Sequence, residues 1–65
     1  MNNIKSERVR KGLSQAEAAK ILNLSPQCLS SYELAKRDIP SGTLIAMHAL
    51  YGCSVDYLLG VSPTR

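Results

Sequence analysis

The sequence predicts an all-α fold: a compact five-helix domain with a helix-turn-helix at its centre. Three observations predict it. Serines suited to capping a helix start, Ser14, Ser25, Ser41 and Ser54, each precede a stretch with helical apolar spacing. Gly12, Asn23, Gly52 and Gly60 follow such stretches, and these residue types tolerate the left-handed backbone that ends a helix. Nothing in the chain shows the period-two alternation of a strand, and there are no repeats or low-complexity segments.

In chain order, the first helix should span Asn3–Lys11. Its wheel places Ile4, Lys5, Arg8 and Val9 on one face, which sets an arginine between two apolar anchors and asks for a partner charge. Gly12 closes it, and Leu13 supplies the apolar contact after the turn. The second helix, Gln15–Leu22, starts at Ser14 with Glu17 as capping-box partner and carries Ala18, Ala19, Ile21 and Leu22. Its two alanines let another helix approach closely. The third, Pro26–Leu34, has Ser25 as N-cap and Pro26 in the first turn, where a missing N–H costs nothing. With Leu29 pointing inward, Glu33 falls only about 40° away, while Gln27 and Ser31 fall on the far side, flanked by Ser30 and Leu34. This helix therefore has an inward glutamate and an outward polar face. After the loop Ala35–Pro40, Ser41 is expected to cap a fourth helix from Gly42 or Thr43 to Tyr51, with Leu44, Ile45, Met47, His48 and Tyr51 inward. Gly52 closes it and Cys53 should be buried. Ser54 caps a fifth helix, Val55–Leu59, stopped by Gly60, and residues 61–65 read as a frayed tail. The helix-turn-helix covers about residues 15–34 of one domain, 1–65.

Composition narrows the function. A 65-residue chain buries roughly 60% of the surface its unfolded form exposes, so each helix depends on its neighbours. An apolar share of 45% and a charged share of 20% fit neither a disordered segment nor a membrane span. No apolar run approaches a transmembrane helix, no signal-peptide pattern opens the chain, and the polar start Met1-Asn2-Asn3 suggests a cytoplasmic location. Cys28 and Cys53 are expected as reduced thiols, although a disulfide is possible in principle. Cys28, Cys53 and His48 lack a short metal-ligand spacing, so no metal or cofactor is expected. One histidine, no paired carboxylates and no phosphate-cradling glycine loop argue against an enzyme. The net charge is +3, with Lys5, Arg8, Arg10 and Lys11 near the start and Lys36-Arg37 after the third helix. Two basic clusters suit a polyanion, and taken alone they also suit ordinary surface charge.

Three stretches, in order and at matching spacing, carry a family resemblance from about Ile4 to Gly60. The run Arg8 to Ala19, with Gly12-Leu13-Ser14-Gln15 inside it, resembles the opening signature of Cro/C1-type (Xre-type) helix-turn-helix DNA-binding regulators, the group that includes the lambdoid phage repressors. Ser25 to Glu33 resembles their recognition helix, and Ser54-Val55-Asp56-Tyr57-Leu58-Leu59-Gly60 resembles their closing segment. The resemblance implies a sequence-specific regulator, a repressor that binds a palindromic operator in double-stranded DNA as a homodimer with the third helix in the major groove. It implies no small-molecule ligand and no membrane.

The resemblance also implies roles. Pro26, Gln27 and Ser31 match positions facing base edges, and Gln27 can pair with adenine N6 and N7. Ser30 and Cys28 fall at the groove edge, Ser30 grouped with the base readers and Cys28 with the phosphate contacts. Gln15 matches a phosphate clamp, and Lys36 and Arg37 match a phosphate-contacting loop. Arg8 and Glu33 match a semi-buried ion pair, which their inward wheel positions suggest independently. Tyr57, Leu59 and Val61 form either a dimer surface or the last of the monomer core. Three departures stand out. Ala35 and Asn23 occupy positions where the family uses glycine; asparagine tolerates positive φ, whereas alanine would be strained there by about 1 kcal/mol, unless the loop differs. His48, where the family prefers alanine, reads as a packing residue. An alternative is a protein-interaction module, such as an antitoxin or regulatory partner, kept open by Leu34 and Cys28 on the outer face.

Overall fold

A computed structural model describes residues 1–65. The helices are α1 (Ile4–Arg10), α2 (Gln15–Ile21), α3 (Pro26–Glu33), α4 (Ser41–Tyr51) and α5 (Val55–Leu58), with no strand. All but α4 are only one to two turns long, too short to persist alone. What holds them is a shared core to which every helix contributes: Ile4 from α1, Ala18 and Ala19 from α2, Leu29 and Tyr32 from α3, Met47 and Tyr51 from α4, and Leu58 from α5, with Leu22 and Cys53 between helices. Ala18 and Ala19 are completely covered, as expected where a small-residue face allows α2 to lie close against α3.

The turns carry as much of the fold as the core does. After α1, α2, α3 and α5 the chain makes the same closure. A residue with positive φ (Gly12, Asn23, Ala35 and Gly60, at 79°, 60°, 57° and 78°) reverses the backbone. The next N–H then reaches back to a helix carbonyl: Leu13 to Arg8, Leu24 to Ala19, Lys36 to Ser31 and Val61 to Asp56, at 2.8–3.1 Å. This is the Schellman closure, which satisfies carbonyls that would otherwise be orphaned. Gly60 is doubly constrained, since an added Cβ would collide with the Met1 carbonyl oxygen. Helix starts follow the capping rules in three cases. Ser14 Oγ accepts from Glu17 N, and the Glu17 carboxylate accepts from Ser14 N at 2.8 Å. Ser25 and Ser54 accept from Cys28 N and Tyr57 N.

The structure corrects several expectations. Ser41 lies inside α4; Pro40, extended at ψ 147°, takes the cap position and leaves the first turn without a side-chain cap. The buried face of α1 is Ile4, Glu7 and Arg8, and Val9 is 60% exposed. Ile45 lies opposite Met47 and Tyr51 on α4 and faces outward. His48 is also exposed, with Nδ1 2.7 Å from the Cys53 carbonyl oxygen. The tail folds back instead of fraying. Arg65 binds Glu7 through Nη2 at 2.6 Å and donates to the Tyr51 carbonyl. The Arg65 hydrogen bond to Glu7 holds the buried Glu7 carboxyl below the usual carboxylate range against the cost of its burial. Asn2 and Asn3 stitch the chain start across the fold, donating to the Tyr32 carbonyl of α3 at 2.9 Å and the Tyr57 carbonyl of α5 at 2.7 Å. Both cysteines are free thiols. No helix is long and apolar enough to cross a membrane.

Ala35 is the strained member of the four closures, because its Cβ meets the carbonyl in the left-handed conformation. Replacing it with glycine relieves that clash and adds backbone entropy to the unfolded chain. Ala35→Gly should therefore stabilise the protein by about 0.5–1 kcal/mol, read as a higher urea midpoint at unchanged slope. An unchanged or lower midpoint would show the turn to be unstrained.

Candidate nucleic-acid interface

The outward face of α3 follows from what its inward face must do. Leu29 and Tyr32 are buried and Glu33 is drawn beneath the surface, its side chain 4% exposed. The 100° step per residue then leaves Pro26 and Gln27 in solvent and Ser30 and Ser31 half-covered at the margins. Packing of α2 against α3 brings Gln15 to the same place. Gln15, Pro26, Gln27 and Ser30 together line an open depression of about 280 Å³, in which three of the four side chains are polar amides or a hydroxyl. Four of the residues singled out in the sequence thus share one surface, although they come from two helices and from both proposed roles.

Beneath this surface lies a polar network. Arg8 Nε donates to Glu33 Oε2 at 2.7 Å and Arg8 Nη2 to Glu33 Oε1 at 3.3 Å, which ties α1 to α3. Arg8 Nη1 donates to the Leu13 carbonyl at 3.0 Å, at the entrance to α2. Gln15 Nε2 donates to Glu33 Oε1 at 3.2 Å. This last bond was not expected from the sequence, where Gln15 read only as a surface group. The bond depends on how α2 crosses α3, which no linear pattern contains. Tyr51 borders the pair from α4. Desolvation, followed by the charge of Glu33, pushes its phenol up to about 12, so it adds no negative charge beside Glu33.

The remaining candidates lie around the rim. Arg37 sits over the Tyr32 ring at 5.7 Å, with Nη1 3.7 Å from Cys28 Sγ, so it lies along the flank of α3. The neighbouring Cys28 side chain is the largest influence raising the Tyr32 phenol. Lys36 is exposed beside Arg37. Tyr57 is half-buried, and Leu59 and Val61 are 40% and 75% exposed. These three stand apart from the polar depression; Leu59 instead borders a hollow shared with Tyr32, Arg37 and Ile39. Leu34 faces solvent and, with Met1 and Val9, lines a separate groove of about 600 Å³.

Comparison with known proteins places this geometry in context. Residues 4–58 match the helix-turn-helix family. Over 57 residues, 88% of this chain, the sequence is 44% identical to the HTH-type transcriptional regulator ImmR of Bacillus subtilis (strain 168). The chain spans 45% of that relative's length.

The buried pair makes a sharp stability prediction. Arg8→Met alone leaves Glu33 buried and unpaired, at a cost of about 3–5 kcal/mol. That is comparable with the whole stability of a domain this size, roughly 3–10 kcal/mol. Arg8→Met combined with Glu33→Leu should lie within about 1–2 kcal/mol of the parent in urea denaturation. A double variant as unstable as the single one would contradict the pairing.

Proposed function

The chain belongs to the Cro/C1-type helix-turn-helix family of DNA-binding transcriptional regulators, a non-enzymatic family, and we propose that it acts as a repressor binding a palindromic operator as a homodimer. In this reading α3 enters the major groove and α2 crosses the sugar-phosphate backbone. Gln27, at the exposed start of α3, reads a base edge, with an amide suited to adenine N6 and N7. Pro26, Ser30 and Ser31 set the fit around it. Gln15 binds a phosphate from the start of α2, and Cys28, Lys36 and Arg37 lie where the flanking strand would pass. These contacts position the protein, while the α3 face discriminates sequence.

The observation that carries the reading is the two-sidedness of α3. Leu29, Tyr32 and its one carboxylate are buried, and its exposed start shares with Gln15 a depression lined by Pro26 and three polar side chains. Any surface helix exposes a polar face; what sets α3 apart is that its one carboxylate is buried and that Gln15 of α2 joins its exposed start. Dimerisation follows from arithmetic. A single helix makes few base contacts, each good bidentate pair contributing about 1–3 kcal/mol of discrimination, so two copies on half-sites about 34 Å apart reach useful specificity. Leu59 and Val61, exposed beyond the core, with Tyr57 beside them, are the proposed dimer contacts.

A second reading, a protein-interaction module, draws on the groove lined by Met1, Val9 and Leu34. The two readings differ in what they predict for DNA.

Selection from random duplex DNA at moderate salt should return a two-fold symmetric motif. Gln27→Ala should relax preference at one base pair of each half-site, and Gln15→Ala should weaken binding to every sequence alike. Recovery of no symmetric motif would overturn the operator reading in favour of the interaction module.

A further inference from the structure

The Gln15 side chain is held in place before any ligand arrives. Its Nε2 donates to Glu33 Oε1. A carboxylate only accepts, so chemistry settles which end of the amide faces inward: the nitrogen. One N–H of that nitrogen is used by Glu33, and the other remains. The Glu33 carboxylate is fixed in turn by two donors of Arg8. The same guanidinium holds the Leu13 carbonyl, one residue before the N-cap of α2. Arg8 therefore sets both the backbone entry to α2 and, through Glu33, the side chain at its first position. Neither charged group can meet a ligand directly, because their side chains are 10% and 4% exposed, whereas Gln15 forms a wall of the polar depression.

We propose that Glu33, backed by Arg8, is a positioning residue for DNA binding: the ion pair orients the Gln15 amide so that its second N–H faces the DNA backbone. The proposal rests on the reading of Gln15 as a phosphate contact. Its physical basis is preorganisation. A glutamine immobilised only on binding loses rotamer freedom at that moment, whereas one already tied to Glu33 does not. The benefit is sequence-independent, since a phosphate contact carries no base information. The ion pair is thus linked to affinity at every site, although it touches no nucleotide.

A double-mutant cycle on the full chain tests this. Replacing Arg8→Met together with Glu33→Leu removes one charge of each sign, so net charge and the salt dependence of binding stay as they were. Against a selected duplex and a scrambled one, that pair should weaken binding by about three- to ten-fold per half-site on both. In a Gln15→Ala background the same pair should cost nothing further, because the group it positions is gone. An equal loss with and without Gln15 would overturn the proposal and assign the ion pair to stability alone. If Gln15→Ala leaves affinity unchanged in a chain that binds DNA, the phosphate reading of Gln15 falls and the positioning role with it. If the parent chain binds neither duplex, the DNA-binding reading itself is what fails.

Side-chain amide relaxation on the unaltered, DNA-free protein decides the matter even if the paired variant does not fold. The Gln15 amide should show an order parameter near that of rigid backbone, about 0.85, with Gln27 below about 0.6. Equal mobility of the two would overturn the proposal.

Discussion

The Arg8–Glu33 ion pair is the constraint on which the rest of the arrangement depends. It fixes the end of α3 against α1, and it does so from beneath the surface. Once Glu33 is drawn inward with Leu29 and Tyr32, the helical repeat leaves no choice about what faces out. Gln27 becomes exposed because Glu33 is buried. The pair is also costly to leave half-made, since a lone charge in that place would keep only neutral partners, the Gln15 amide for Glu33 or the Leu13 carbonyl for Arg8. It therefore specifies one rotation of α3, and rotation is what a groove-reading helix needs fixed.

Around that pair the chain is held by closures more than by long helices. Four turns use one motif, and three of them place a residue suited to positive φ at its centre. Ala35 is the exception, and it lies directly after α3, between the recognition surface and the basic pair Lys36-Arg37. The chain ends contribute as well. Asn2 and Asn3 bind carbonyls of α3 and α5, and Arg65 neutralises Glu7 on α1. In a domain this small, a few polar ties of this kind are a substantial share of what holds short helices together.

Much of this was legible in the sequence, and the failures have identifiable causes. Capping serines and turn residues located all five helices to within about a residue, because caps are local chemistry. The two faces of α3 and the inward positions of Arg8 and Glu33 came from the wheel alone. The wheel failed where the apolar signal was sparse. In α1 it chose Val9 over Glu7, since a buried glutamate is visible only when its partner is known, and that partner, Arg65, lies at the other end of the chain. Ile45 was misplaced because apolar character says nothing of direction when the inward stripe is narrow. Ser41 read as a cap because serine usually is one; Pro40 displaced it. The bond between Gln15 and Glu33 needs the crossing of two helices, which no linear pattern contains.

The central claim is that the exposed start of α3 and the start of α2 form one DNA-binding surface. Amide NMR of the labelled chain, titrated with a selected duplex, tests it most directly. The account predicts the largest shifts at Gln15, Gln27, Ser30 and Ser31, smaller ones at Lys36 and Arg37, and little change along the outer face of α4 around Ile45. Shifts centred on Met1, Val9 and Leu34, with Gln15 and Gln27 unmoved, would contradict it.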